Sequence, residues 1–244
     1  MALPQLNDQP KYDLVIPSTK QKVRFRPFLV KEEKVMMMAM ETEDQSQILN
    51  TIVDTIGACI IDSVDTSKFT TFDVEYCFLQ IRSKSVGEKV QLNFDCTECS
   101  KANETSIKVD DINIDVPKME NIIKINDDIS VEMRWPTFNQ VLQEKDIFDT
   151  ESSVDQIFGL IRTCIVASMT EEERYSTSDH TAEELNTFIE SMSADQFAKI
   201  RDYVEAMPRL QHTIEFDCDG CGTHNSIQVE GMQNFFYLVY LTIA

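Results

Sequence analysis

Apolar residues recur every three or four positions in the stretch that follows Ser46. Ile48, Leu49, Ile52, Val53, Ile56 and Ile60 fall on one side of a helix, with Ser46 placed to cap it. A second helical run, from Phe72 to Ser85, turns Val74, Phe78, Leu79 and Ile81 inward and stops at Gly87. The period then drops to two, and Val90 to Phe94 and Thr105 to Val109 alternate as half-buried strands do. Beyond residue 120 similar signals return. NIIKI and ISVEMRW read as strands flanking a turn at Asn126, Asp127 and Asp128. Ser153 precedes a helical set of Val154, Ile157, Phe158, Ile161 and Ile165. Thr181-x-x-Glu184 and Ser193-x-x-Gln196 have the capping-box form, in which side chain and backbone satisfy each other's donors. Pro208 closes that helical region, and the polar, aperiodic segment 170–181 reads as the least ordered part of the chain.

The two series of elements resemble each other in detail. LNFDCTECSKANETSIKV and IEFDCDGCGTHNSIQV share Phe-Asp-Cys-x-x-Cys and end in Ser-Ile-x-Val, with Asn103 matched to Asn225 and a spacing of 218 − 96 = 122 residues. Upstream, TIVDTIGACII at 51–61 matches QIFGLIRTCIV at 156–166, which puts Cys59 on Cys164, and VRFRP at 23–27 resembles VEMRWP at 131–136. The order of the three matches is the same in both halves, the mark of a tandem duplication. The expected fold class is therefore α+β and internally duplicated. Two helical halves, 1–116 and 117–244, each end in a β-hairpin knuckle, and the two knuckles share one zinc-ribbon-like site that joins the halves into one compact unit. Residues from about 20 to 112 and from about 128 to 232 should share one order of elements, with the metal near a pseudo-twofold axis.

That site is where the sequence carries chemistry. Zinc takes four tetrahedral ligands, and two residues between cysteines let both sulfurs of a tight turn reach one ion. Cys96 with Cys99, and Cys218 with Cys221, each supply half of such a set. A redox dithiol is the rival reading, but such a pair normally sits at a helix N-terminus. Here strands flank both pairs, and Asp95, Glu98, Asp217 and Asp219 should raise the thiol pKa values. Inert reduced thiols are the remaining alternative. Gly222 suits the turn after Cys221 because φ > 0 is commonly needed there, whereas Ser100 fits the equivalent place less well. His224 follows Cys221 by three residues, but its counterpart is Ala102, so it reads as a surface histidine.

Composition narrows the function classes. The 244 residues carry 22 Lys plus Arg against 42 Asp plus Glu, a net charge of −20 that repels phosphate backbones and anionic lipid. Nucleic acid and membrane surfaces are therefore not expected partners. No run reaches the ~18 apolar residues of a membrane span, and the start MALPQLNDQPKYD has no secretory pattern. Seven cysteines, with Cys59, Cys77 and Cys164 in apolar helical patterns, fit a reducing compartment. The glycines form no phosphate-cradling loop, and neither a Gly-x-Ser-x-Gly nor a His-Glu-x-x-His motif occurs, so no active site is visible. Two apolar stretches remain. VMMMAM at 35–40 reads as core filling or as an adaptable partner face. The end, NFFYLVYLTIA at 234–244, is apolar around most of a helix, so Phe235, Phe236, Leu238, Val239 and Leu241 are either buried or a docking segment.

KVRFRPFLVKEEKVMMMAM at 22–40 and FDVEYCFLQIRSKSVGE at 72–88, followed by Cys-x-x-Cys, resemble the baseplate hub assembly proteins of T-even-type contractile-tailed bacteriophages. The resemblance covers about the first hundred residues. It implies a viral protein made in the host bacterial cytoplasm, with the virion tail baseplate as its second location. The implied role is non-enzymatic, a chaperone or subunit of the tail hub whose partners are other hub components or the tape-measure protein. It transfers no catalytic residues. A phage zinc-ribbon regulator acting through polymerase contacts is the second reading, and a thiol oxidoreductase the third.

Overall fold

Alternating residues set the first element of the described chain, which comprises residues 9–42, 44–109, 112, 114–144 and 152–230 of a computed structural model. Strands β1 (Tyr12–Val15) and β2 (Lys22–Phe25) pair antiparallel with Tyr12 opposite Phe25, and Leu14, Val23 and Phe25 are buried. In the turn between them Ser18 donates from its N–H (2.9 Å) and its hydroxyl (2.6 Å) to the two oxygens of Asp73, so a fully buried carboxylate is satisfied. Helix α1 (Val30–Met40) begins at Leu29, which has no side-chain acceptor; Glu32 supplies half of a capping box by accepting the Leu29 N–H at 2.7 Å. Helix α2 (Gln45–Cys59) is capped by Asp44, which accepts the Gln47 N–H at 3.1 Å. Ser46, the expected cap, lies in the first turn; a carboxylate at that end also gains from the helix dipole. Helix α3 (Thr71–Val86) ends at Gly87, whose φ of +139° excludes most other residues. Strands β3 (Lys89–Asp95) and β4 (Ala102–Lys108) then form an antiparallel hairpin with Asp95 opposite Ala102.

The chain divides into two units: Met1–Thr66, Phe72–Asp115 and Arg209–Ala244 in one, Ser67–Thr71 and Val116–Pro208 in the other. In the second unit, β5 (Ile122–Lys124), β6 (Ser130–Met133), β7 (Ile165–Met169) and β8 (Arg174–Ser176) form an antiparallel sheet in that order. The β5–β6 turn is closed by Asn126, whose Oδ1 accepts the Asp128 and Ile129 N–H groups at 2.9 and 2.7 Å. Helices α4 (Phe138–Gln143), α5 (Ser153–Cys164), α6 (Ala182–Glu190) and α7 (Ala194–Glu205) carry N-caps Thr137, Ser152, Thr181 and Ser193. Ile161 of α5, Ile189 of α6 and Ile200 of α7 meet Val131, Met133 and Ile165 of the sheet in one core. The segment 170–181, expected to lack order, is ordered. Thr170 and Glu173 close a turn at 2.9 Å, and the Thr177 hydroxyl donates to the Ile165 and Val166 carbonyls at 3.0 Å each. Its lack of apolar period reflects an edge strand whose side chains are largely exposed.

Strands β9 (Gln211–Asp217) and β10 (His224–Glu230) form the last described hairpin, with Asp217 opposite His224. It belongs to the first unit, so the spatial division departs from a boundary at 116/117. The reason is apolar cover. Leu210, Ile214 and Val229 share a core with Leu79 of α3 and with Leu92, Ile107, Val109 and Ile112, while the Phe94 and Phe216 rings stack at 6.3 Å. Glu75 of α3 also accepts the Leu210 N–H at 3.1 Å.

Candidate metal centre

The β3–β4 and β9–β10 hairpins each turn through six residues, Cys96 to Lys101 and Cys218 to Thr223, by the same hydrogen bonds. The Cys96 N–H bonds the Lys101 carbonyl and the Cys218 N–H the Thr223 carbonyl, both at 2.9 Å. The fifth residue of each turn then bonds back to the first, Ser100 to Cys96 at 2.9 Å and Gly222 to Cys218 at 2.8 Å. Both fifth residues are left-handed, Ser100 at φ +55° and Gly222 at φ +75°. Glycine adopts this region freely and serine only with strain.

The turns bring all four cysteines together. The Cys96 and Cys221 sulfurs lie 3.6 Å apart, as do those of Cys99 and Cys218, and all four lie within 4.8 Å of one another. Four thiolates around a zinc ion at ~2.3 Å would have tetrahedral edges of ~3.8 Å, so the donor set and its spacing fit that ion. All seven cysteines are free thiols; Cys96 and Cys218 are buried, Cys99 and Cys221 exposed.

Electrostatics at the sulfurs runs against the effect expected from the acidic neighbours. Cys96 is lowered, chiefly because the Cys99 and Glu98 N–H groups point at its sulfur. Cys218 falls to about 6 through the Cys221 N–H, with a further bond from Gly220. Backbone dipoles of a tight turn are closer than any side-chain carboxylate, and they decide the sign. At Cys99 the Lys101 N–H acts in the same direction, but the Cys221 and Cys218 thiols outweigh it and push Cys99 up to about 12. In each turn the backbone thus favours the ionised form of the first thiol, the form a metal ligand takes.

Two buried asparagines lock the turns to each other. Asn103 accepts the Asp219 N–H at 2.9 Å, and Asn225 accepts the Thr97 N–H at 3.0 Å. Each also donates to a carbonyl of its own turn, Asn103 to Lys101 at 2.6 Å and Asn225 to Thr223 at 2.8 Å. The matching of Asn103 to Asn225 was visible in the sequence, but their crosswise role was not. Lys101 lies over Gly220, where an added Cβ would meet its Cδ at 2.6 Å.

The other candidates lie elsewhere. His224 is exposed and faces Asp217 at 2.8 Å, outside the cysteine cluster. Burial raises Cys59 to about 11 and Cys164 to about 12, so neither is a ready nucleophile. In α1, Met36 and Ala39 are buried while Val30, Val35, Met37 and Met38 are exposed, so the methionine run serves both core and surface. Phe235, Phe236, Leu238, Val239 and Leu241 lie outside the described residues. Among the described residues no helix is long and apolar enough to cross a membrane.

An α+β chain with a four-thiol cluster between two hairpins is the class that the fold and the site define. The family model described as T4 bacteriophage base plate protein matches residues 9–237, and the chain belongs to that family. No curated protein and no solved structure matches it. Membership implies a structural place in a phage tail baseplate, in association with other baseplate components.

Proposed function

We propose that this protein is a non-enzymatic assembly factor of the central hub of the tail baseplate, a chaperone or subunit that joins hub components. The match over residues 9–237 carries this reading. The proposed partners are other hub proteins or the tape-measure protein, met first in the host cytoplasm. Cys96, Cys99, Cys218 and Cys221 would hold a structural zinc ion, which supplies cross-linking and no reaction; the shared Sγ cluster supports this assignment. The stretches 1–116 and 117–244 are proposed to be repeats of one ancestral unit. The matched asparagines Asn103 and Asn225 support it, as do the Arg26 and Arg134 N–H bonds to the Cys59 and Cys164 carbonyls at 3.0 and 2.8 Å. On the sequence alone, Phe235, Phe236, Leu238, Val239 and Leu241 are proposed to dock a client. Nothing in the fold favours polymerase binding.

The test is affinity capture from infected cells, repeated on purified particles. Recovery of hub or tape-measure proteins supports the reading, and recovery of polymerase subunits without them would overturn it. Truncation after Asn234 examines the terminal segment: a folded, zinc-loaded truncate that captures hub proteins normally removes it from the interface.

A further inference from the structure

Two arginines stand six residues ahead of the third residue of a helix, Arg26 before Glu32 of α1 and Arg134 before Gln140 of α4. Glu32 and Gln140 do the same local work, accepting the N–H of Leu29 at 2.7 Å and of Thr137 at 3.0 Å. Their charge differs. Glu32 also holds the Arg26 guanidinium at 2.8 Å, and that arginine side chain is only 16% exposed. Gln140 is a neutral amide. Among the described residues Arg134 forms no ion pair, and it is exposed. Its side chain lines a groove of about 410 Å³ that includes Gln140, Glu144, Arg162, Thr177 and Ser178. Glu144 is already engaged by Arg162 at 2.9 Å. Within a chain of net charge −20, Arg134 is thus a guanidinium without an ion-pair partner among the described residues.

We propose that this groove is a docking site for a carboxylate side chain, aspartate or glutamate, of a partner protein. The partner's carboxylate supplies to Arg134 the negative charge that Glu32 supplies to Arg26 and that the neutral Gln140 lacks. The internal pair supplies the chemistry, because one guanidinium holding one carboxylate is a charge-assisted contact that this local backbone already supports in the other unit. A polyanion does not fit, since one guanidinium cannot offset the repulsion of so acidic a chain. The site is separate from the cysteine cluster, and its test does not depend on which baseplate protein is the partner.

The experiment follows the Arg134 Nε–H resonance of the full-length chain during titration with the blocked tripeptide Ac-Ala-Glu-Ala-NH2. Ac-Ala-Gln-Ala-NH2 is the isosteric control, and inorganic phosphate the third probe. A saturable shift with the glutamate peptide is expected, with at least tenfold weaker binding of the glutamine peptide and of phosphate. Gln140→Glu builds the internal carboxylate back in, and it should weaken the peptide about tenfold while leaving the remaining amide spectrum in place. Arg134→Gln, at an exposed position and followed through the backbone amides of the groove, should abolish binding without unfolding. Equal binding of the glutamine peptide, tighter binding of phosphate, or an unchanged affinity in Gln140→Glu would each overturn the proposal. Failure to capture hub proteins from infected cells would count against the assembly role and leave these titrations untouched.

Discussion

The four-stranded sheet of the second unit and the paired hairpins of the first use the same antiparallel pairing, but they are held by different forces. In the second unit, Ile161, Ile189 and Ile200, each from a different helix, are almost fully buried in a core that includes Val131, Met133 and Ile165. The hairpins are two-stranded sheets, marginal on their own. Their apolar core ends near Phe94 and Phe216, and beyond it stand the crossed asparagines and four thiols. Where apolar area runs short at a tip, directional polar bonds and metal-competent sulfurs take over.

The largest test of that contrast is removal of the proposed zinc, by chelation or by Cys99→Ser with Cys221→Ser. The chain should lose about one zinc, and the hairpin amides should lose hydrogen-exchange protection while the second unit keeps most of its own. Isolated zinc modules gain ~10–16 kcal/mol from the ion, an upper bound for a site with a core beneath it. Equal loss of protection in both units would break the comparison, and zinc retained in the double variant would remove the four-cysteine assignment.

Ile161→Ala runs the contrast in reverse. A cavity at this wholly buried position should cost about 2–5 kcal/mol in denaturant unfolding and leave the zinc content per folded chain unchanged. A smaller effect is expected at the crossed asparagines. Asn103→Ala or Asn225→Ala leaves the half-buried Asp219 or Thr97 hydrogen bond without its acceptor, at about 0.5–1.5 kcal/mol, and should weaken zinc about 10- to 100-fold, as loss of an orienting group does. Competition against a calibrated chelator measures this; unchanged affinity would reduce both residues to packing.

The smallest effect is on pH dependence without metal. Cys218 sits at about 6 against an ordinary 9.0, so its contribution is full above 9.0 and is lost as pH falls through 6. Cys164 is raised to about 12 by burial, so its effect has the opposite sign and weakens the second unit only above its ordinary 9.0. Acidification from pH 9 to pH 6 should therefore soften the metal-free hairpins and spare the second unit, as read by exchange at a series of pH values. Softening of both units in that window would remove the distinction.

The parts legible in the sequence are those written locally. The first hairpin announced itself by alternation around Cys-x-x-Cys, the second by its match to the first, and the Thr181 and Ser193 boxes by their spacing. Ile165 misled because it lies four residues after Ile161 and so extends the helical period. Its pairing opposite Met133 makes it the first residue of a strand, and burial alone does not distinguish the two. The edge strand at Arg174–Ser176 had no apolar face to reveal it. The anchoring of Leu210 by Glu75, 135 positions away, has no local signal at all. The lowered pKa of Cys96 and Cys218 was hidden because it arises from backbone dipoles, which residue names do not record.

The sulfurs that meet come from distant parts of the chain: Cys99 and Cys218 are 119 positions apart, Cys96 and Cys221 125. At a synthesis rate of ~5–20 residues per second, the first hairpin leaves the ribosome roughly 6 to 24 s before its partner is made. During that interval its thiols and the inner faces of Leu92 and Phe94 have no second hairpin to cover them. Closure of the cluster therefore waits for synthesis of the second hairpin, whatever has folded within the first hundred residues. A ribosome stalled before Cys218 would present a nascent chain with only two of the four clustered thiols and an uncovered hairpin face, open to host chaperones.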